Sequence, residues 1–420
     1  MRIVRLANFI TPCSGGLRTA LRELGAGYAA AGHEPVLVMP GAADRDEQTP
    51  QGRVITLRGP VLPLSGGYRL LLSRRRVRDV LESLRPERLE VSDRTTLRWT
   101  GPWARRHGVP AVMVSHESVA GLLSLPLRAR RPESRGVPLG GTARRLIRGM
   151  ARVLADTLNA RTAQAYAQVV CTARWAAAEF ERLGVPNLRH VPLGVDLELF
   201  SPRRRSPALR QRYAAPGEVL IVHCGRLSVE KKPHRSVEAL ARLRAVGVPA
   251  VLVVAGDGPL RARLEREAAS TGLPVHFAGF VPSRGAVATL LATADIVLTP
   301  GPVETFGLAA LEALACGTPV VVSACGALPE VIGAAGVTVR GEDFADGVLS
   351  VLRQPAAERR AAARARAELF GWPAAIRGFL AAHAIAATPR MPAPPRARDL
   401  ASSQHTPLPP AMEPTEEAVR

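Results

Sequence analysis

No run in this chain approaches the ~20 consecutive apolar residues that carry a helix across a bilayer, although 47% of its 420 residues are hydrophobic. A membrane-spanning build is excluded and a globular one expected. The opening MRIVRLANFI, soon broken by Pro12 and Ser14, is too short for a secretory leader; it reads as a first strand, and the protein is expected to stay in the cytoplasm. Cysteine is sparse. Cys13, Cys171, Cys224, Cys316 and Cys325 stand singly, with neither metal-ligand nor disulfide spacing, and in a reducing compartment they read as buried thiols. Acidic residues are in deficit, 36 against 56 Lys+Arg, a net charge of +20. The cations are mostly arginines spread over several helices without an RNA- or DNA-reading motif, which argues against nucleic acid as a partner. An anionic membrane surface or a phosphate-bearing substrate suits so broad a positive field better; arginine-rich usage in a GC-rich genome explains the same excess with no partner at all.

What the chain does contain is alternation. Its length suits two domains of ordinary size, and from residue 1 to 195 apolar runs alternate with helical patterns, the pattern of a parallel sheet covered on both faces. Ile3 to Leu6 reads as a strand, Ser14-Gly15-Gly16 as the loop after it, Leu17 to Ala31 as a helix and Pro35 to Met39 as the next strand. Ala111 to Val114 is another buried strand, delivering His116 just past its carboxyl end, where ligands sit in open α/β sheets. Between Leu127 and Arg152 the chain is rich in arginine. Its part from Thr142 to Leu158 has an apolar face of Leu146, Ile147, Met150, Val153 and Leu154. Such a face is expected to pack on the domain with its arginines solvated; the alternative is contact with a membrane interface or an anionic acceptor.

The second half repeats the alternation. Val219 to Cys224 is a strand followed by Gly225-Arg226-Leu227-Ser228-Val229-Glu230-Lys231-Lys232. Val251 to Pro259 gives strand, glycine turn and helix start, and Val275 to Val281 a shorter strand. Ala294 to Leu298 leads into TPGPVETFGLAALEALACGTPVVV. There Gly301 and Pro302 form a loop, Leu308, Leu311 and Leu314 fall at helical spacing, and Gly317-Thr318-Pro319 stops the helix before a further buried strand. Glu304 lies in the loop and Glu312 inside the helix, among alanines and leucines where a charge is costly without a partner. Phe306-Gly307-Leu308 falls where a helix start presents free backbone N–H groups, a ready holder of anions or polar ligands. Beyond Ala387 the proline-, alanine- and serine-rich chain cannot build a core and reads as a disordered tail.

Glu304 and Glu312 at this spacing, the FGL after the first glutamate and the EALACGTPVV run together resemble the signature of the retaining glycosyltransferases of family four (glycosyl transferases group 1). The resemblance implies an α/β chain of the GT-B fold, two Rossmann-like doubly wound domains facing each other across a cleft. It sets an acceptor-side domain at 1–195, a donor domain at 196–370, a helix returning to the first domain at 371–387 and the tail at 388–420. It implies a hexosyltransferase moving sugar from a nucleotide-diphosphate donor to a lipid, polyol or glycan acceptor, with no obligatory metal or other cofactor. GDP-mannose is the donor expected first; a UDP-sugar, or a nucleotide-sugar binder that has lost catalysis, are the alternatives. By the same resemblance Arg226 and Lys231 hold the donor diphosphate, Glu304 and His116 the transferred sugar, and Glu312 the ribose hydroxyls. Gly15, Gly16 and Gly225 let backbone approach the donor, Phe280 and Val281 lie near the base, and Thr305, Phe306, Gly307 and Leu308 complete the donor site. Two departures stand out: Leu193 replaces the asparagine of the family's PNGVD segment, and Lys232-Pro233 the usual glycine after the cationic turn, which puts that turn in doubt. The basic stretch 127–152 adds the expectation of peripheral contact at the inner face of the membrane.

Overall fold

A computed structural model of the protein describes residues 1–10, 15–62, 67–115 and 141–384, with only the backbone at 141–145 and 148. The first lobe is built on an eight-stranded sheet of β1 (Arg2–Leu6), β2 (Glu34–Gly41), β3 (Arg45–Thr49), β4 (Gly52–Arg58), β5 (Arg88–Val91), β6 (Ala111–Ser115), β7 (Gln168–Cys171) and β8 (Leu188–His190). Its order is β3-β4-β2-β1-β5-β6-β7-β8, parallel throughout except for the β3–β4 pair. The second lobe holds β9 (Val219–Cys224), β10 (Ala250–Ala255), β11 (Val275–Gly279), β12 (Ile296–Thr299), β13 (Val320–Ser323) and β14 (Gly336–Val339), all parallel, in the order β11-β10-β9-β12-β13-β14. Fully buried strands such as AVLVVA in β10 and VVVS in β13 account for this arrangement, because side chains apolar on both faces need helices on both faces. In each sheet the strand order reverses at one place, between β1 and β5 and between β9 and β12. Loops leaving the carboxyl ends of strands at such a reversal splay apart and leave a crevice.

The chain passes twice between the lobes, and the two crossings lie side by side. Val195 N–H donates to the Phe370 carbonyl at 2.8 Å, and Val195 and Gly371 form a parallel bridge. The helix Trp372–Ala382 then runs back over the helix Gly15–Ala30 of the first lobe. A Cβ on Gly27 would fall 2.2 Å from Ile376 Cδ1, so glycine is what lets these helices meet. One apolar cluster crosses the boundary, running from Ile3, Leu24 and Val112 through Val195 to Val222, Phe306 and Phe379.

Two expectations change here. The helix Gly141–Ala165 does not bury its apolar stripe: Leu146, Met150, Val153 and Leu154 are between 61% and 67% exposed. Among the described residues its later half meets the body, through the fully buried Ala155, Asn159 and Thr162 against the helices Thr100–Arg106 and Arg174–Glu181. The cysteines are not uniformly buried either. Cys171 and Cys316 are, Cys224 is half-buried, and Cys325 is exposed because it sits in the loop after β13. No helix among the described residues is long and apolar enough to cross a membrane. His116, Cys13, the basic stretch up to residue 140 and the tail 388–420 lie outside the described residues.

Candidate active site

β9 ends at Cys224, and the turn that follows is shaped by backbone packing. Gly225 N–H donates to the Ala255 carbonyl at 2.9 Å, while a Cβ on Gly256 would fall 1.8 Å from the Gly225 oxygen. The turn closes through Lys231 N–H on the Ser228 carbonyl at 3.1 Å. Lys232 follows at φ 46°, in the left-handed region. Replacing the usual glycine therefore has not removed the turn; the lysine adopts the glycine conformation, which costs an L-residue about 1–2 kcal/mol. The Lys232 ammonium lies 3.9 Å from Glu342, which also accepts from Arg235 at 2.5 Å.

This turn carries both expected cations. The Arg226 guanidinium lies over the ring of Tyr68, a first-lobe residue, at 4.9 Å from its centroid, a cation–π contact across the cleft. The Lys231 ammonium donates to the Glu304 carboxylate and pairs with it. Burial works to lower the Lys231 pKa, but the charge and hydrogen bond of Glu304, with Glu230 and Tyr68, outweigh it and hold the ammonium above its ordinary value. Beneath them His223, buried and with Nδ1 2.9 Å from Ser236 Oγ, is driven down to about 4 by burial first and Lys231 second, so it stays neutral at physiological pH.

Glu304 comes from the neighbouring loop, after β12. The two loops touch backbone to backbone: a Cβ on Gly301 would lie 3.0 Å from Lys231 Cα and 3.1 Å from the Glu230 carbonyl. The Glu304 carbonyl accepts from Ala327 N–H at 3.0 Å, and Gly326, at φ 85°, lies too close to Glu304 to carry a side chain. Gly307 caps the helix Leu308–Ala315 at φ 87°, and a Cβ there would strike Leu328 at 2.3 Å. Glycine is required by conformation and by space alike. The N–H groups of Thr305, Phe306 and Gly307 donate to no backbone group among the described residues. The Phe306 side chain is core, set edge-on against Phe370 at 6.2 Å, so only its backbone can serve the site.

Across the cleft, a Cβ on Gly16 would lie 3.8 Å from Leu308 Cδ1, while one on Gly15 or Gly225 would meet no described residue within 4 Å. Gly15 and Gly16, expected in a loop, instead open the helix Gly15–Ala30, whose start meets the helix start of the second lobe. Glu312, one turn into that helix, is buried and accepts from Arg284 at 3.0 Å. Burial raises its pKa, with Arg284 opposing. Arg284 also donates to Thr19 of the first lobe at 3.0 Å and lies over the Phe200 ring at 5.0 Å. Phe280 is exposed on the loop leaving β11, and Val281 is half-buried against the core cluster that holds Phe306 and Leu308.

The structure therefore gathers Arg226, Lys231, Glu304 and the N–H groups of 305–307 at the reversal point of the second sheet, facing Gly15 and Gly16. Arg284, Tyr68 and Thr19 were not anticipated. One arginine among many carries no local signal, and a tyrosine in the first lobe acquires meaning only when the lobes face each other. Among the described residues no group of three or more His, Cys, Asp or Glu is placed to hold a metal ion.

Comparison with known proteins bears on family and fold. Residues 206–368 match the family model described as Glycosyl transferases group 1, and residues 15–196 the Glycosyl transferase 4-like domain. The GDP-mannose-dependent alpha-(1-6)-phosphatidylinositol dimannoside mannosyltransferase of Mycobacterium tuberculosis is 52% identical over 388 residues, 91% of this chain and 95% of that protein. The D-inositol 3-phosphate glycosyltransferase of Pseudarthrobacter chlorophenolicus is 31% identical over 278 residues, 63% of this chain and 62% of that one. Among solved structures, sucrose-phosphate synthase of Thermosynechococcus elongatus superposes with a TM-score of 0.69 at 20% identity, covering 90% of this chain and 97% of that chain. Anabaena HepE in complex with UDP-glucose does so at 0.64 and 19%, covering 91% and 99%. At these identities the two structures speak for the fold.

Proposed function

This chain belongs to the glycosyl transferases group 1 family and is a glycosyltransferase of the GT-B fold; we propose that it moves mannose, with retention of configuration, from GDP-mannose to a phosphatidylinositol mannoside at the inner face of a membrane. The observation that carries the donor and acceptor is the 52% identity to the mycobacterial mannosyltransferase, sustained over 91% of this chain. In this reading the bond that breaks joins the anomeric carbon to a diphosphate oxygen, so negative charge grows on the leaving group. Arg226 and Lys231 supply fixed positive charge for it, and preorganised charge of this kind needs no reorganisation as the reaction proceeds. The raised pKa of Lys231 keeps it an ammonium at neutral pH.

Glu304 orients the sugar hydroxyls, with His116 as a second contact, and the N–H groups of Thr305, Phe306 and Gly307 support the same end of the donor. Leu308 and Gly225, with Gly15 and Gly16 from the first lobe, leave room for it, Glu312 takes the ribose hydroxyls, and Phe280 and Val281 flank the base. The cationic pair supplies the charge a divalent ion would otherwise provide, so chelation should leave turnover unchanged. The exposed apolar stripe of Leu146, Met150, Val153 and Leu154 supports peripheral contact with the membrane that presents the acceptor. The test is a panel of GDP-mannose, UDP-glucose and UDP-N-acetylglucosamine with the purified full chain and a phosphatidylinositol mannoside, followed by the anomeric configuration of the product. GDP-mannose alone should be consumed and should raise the melting temperature; consumption of a UDP-sugar in its place would overturn the donor assignment, and an inverted product would overturn retention.

A further inference from the structure

Arg284 begins the helix Arg284–Thr293 of the second lobe, where the Ser283 hydroxyl accepts from Ala286 N–H at 3.3 Å and fixes the first turn. Its guanidinium meets three parts of the molecule. Nη2 donates to Glu312 Oε1 and Nη1 to Thr19 Oγ1 of the first lobe, each at 3.0 Å, and the group lies over the buried ring of Phe200, on the segment just past the crossing at Val195. Its Nε is buried with no partner among the described residues. An unmade buried donor carries a cost that an apolar side chain of similar reach would not, so the two Nη bonds account for an arginine at this place. A planar fork can hold both acceptors at once; a lysine, with one nitrogen, is suited to one.

The two acceptors have different surroundings. Glu312 Oε1 is taken, whereas Oε2 accepts from no described residue, so the carboxylate is anchored on one side and keeps an oxygen for a hydroxyl donor. Thr19 is buried one turn into the helix Gly15–Ala30, whose start meets Leu308. Burial pushes the Glu312 carboxyl up and Arg284 opposes it most; from the facing helix Arg22 adds to that opposition, and Glu23, paired with Arg22, works against it. Burial also pushes the nearby thiols of Cys224 and Cys316 up to about 12, so they are neutral. We propose that Arg284 is a positioning residue that holds the Glu312 carboxylate in place for the ribose hydroxyls and ties it to Thr19, so that the nucleotide is held tightly only while the first lobe is seated against the second. The proposal rests on the ribose role given to Glu312 above and adds the residue through which the lobe contact reaches it. By linkage, nucleotide and lobe contact stabilise each other to the same extent.

The experiment is calorimetric titration of the full chain with GDP, or with UDP should the wild type prefer it, since both carry the ribose. Thr19→Val keeps the shape of the side chain and loses its oxygen, and should weaken nucleotide binding roughly fivefold although it lies in the other lobe, while Thr19→Ser stays within about twofold of wild type. A residue that only packs would show the opposite order. Arg284→Gln should weaken binding about tenfold, the size of a hydrogen bond to a charged group, and its deficit against wild type should shrink between about pH 6 and pH 8 as Glu312 ionises unaided. The double variant Thr19→Val/Arg284→Gln should bind no more weakly than Arg284→Gln alone, because the bond between the lobes is lost only once. Wild-type affinity in Thr19→Val, additive losses in the double variant, or a deficit of Arg284→Gln that ignores pH would each overturn the proposal. Glu312→Gln keeps the two readings apart: wild-type affinity there removes the ribose role and this inference with it, whereas weak binding there beside wild-type affinity in Thr19→Val and Arg284→Gln sinks this inference alone. Matching melting temperatures for the variants exclude misfolding.

Discussion

Each lobe places an ion pair at the reversal point of its sheet, and the two pairs differ in what surrounds them. In the first lobe Arg5 of β1 and Glu90 of β5 are register partners, 2% and 1% exposed, with 3.0 Å between Arg5 Nε and the carboxylate. Tyr28 donates to the same carboxylate at 2.7 Å, and His383, just past the returning helix, lies 3.4 Å from it. Burial alone would raise the Glu90 carboxyl, but Arg5, His383 and Tyr28 hold it well below the usual carboxylate range. In the second lobe Lys231 and Glu304 sit on loops, 29% and 13% exposed. A pair sealed inside the protein, out of reach of any ligand, can only hold the fold together; a pair left partly open keeps bonding capacity for a ligand. The first clamps the last helix to the first lobe, and the second is poised for substrate.

Breaking the sealed pair should have the largest effect. Glu90→Gln leaves Arg5 charged and buried without its counter-ion, which typically costs 3–5 kcal/mol, so thermal unfolding should shift down by many degrees. Glu90 has its pKa depressed in the folded protein, so the stability it contributes is full above its unfolded value of about 4.3 and falls as pH drops below that. The wild type should therefore lose stability on acidification more steeply than Glu90→Gln. Parallel acid curves for the two proteins would show that Glu90 is not held ionised by its neighbours.

Breaking the open pair should touch rate before stability. Lys231→Ala or Arg226→Ala should lower turnover by roughly 100-fold, as for loss of one charge-stabilising donor, with a much smaller change in melting temperature than Glu90→Gln. Turnover within a few-fold of wild type would reassign both side chains to the surface of the cleft.

The two glutamates of the second lobe sharpen the comparison further. Glu304→Gln should depress transfer while leaving the affinity for free GDP near wild type, since GDP lacks the sugar that Glu304 orients. Glu312→Gln should weaken GDP binding itself. Calorimetric titration of both variants with GDP separates the roles, and an equal loss of affinity in the two would refute the assignment of one to sugar and one to ribose.

Lys232→Gly should give the smallest effect. Relief of the left-handed lysine offsets the extra freedom of an unfolded glycine, so stability measured by urea unfolding should rise by no more than about 1 kcal/mol. A clear loss would mean that the contact with Glu342 outweighs the strain.

Much of the second lobe was legible because its signals are local. The strand Val219–Cys224, the cationic turn after it and the Glu304–Gly307 loop before a helix each lie within about ten residues, and backbone propensity and turn chemistry act over that range. The glycine at 307 could be read as a cap from its place before Leu308; its second duty, leaving room for Leu328, could not. The apolar stripe of Gly141–Ala165 was readable as a period, but period alone does not say whether a face is covered, and here the described structure leaves it open.

The sequence by itself determined the alternation of buried strands and helices, the glycine turns and the residue types at the ends of β9 and β12, since each follows from side-chain periodicity and local backbone preference. Only the tertiary structure decided that Tyr68 meets Arg226, that Arg284 joins Glu312 to Thr19, and that Glu90 finds His383 across 293 positions. These partners are set by sheet order and by the return of the last helix to the first lobe, and contacts between residues so far apart in the chain carry no periodic trace in it.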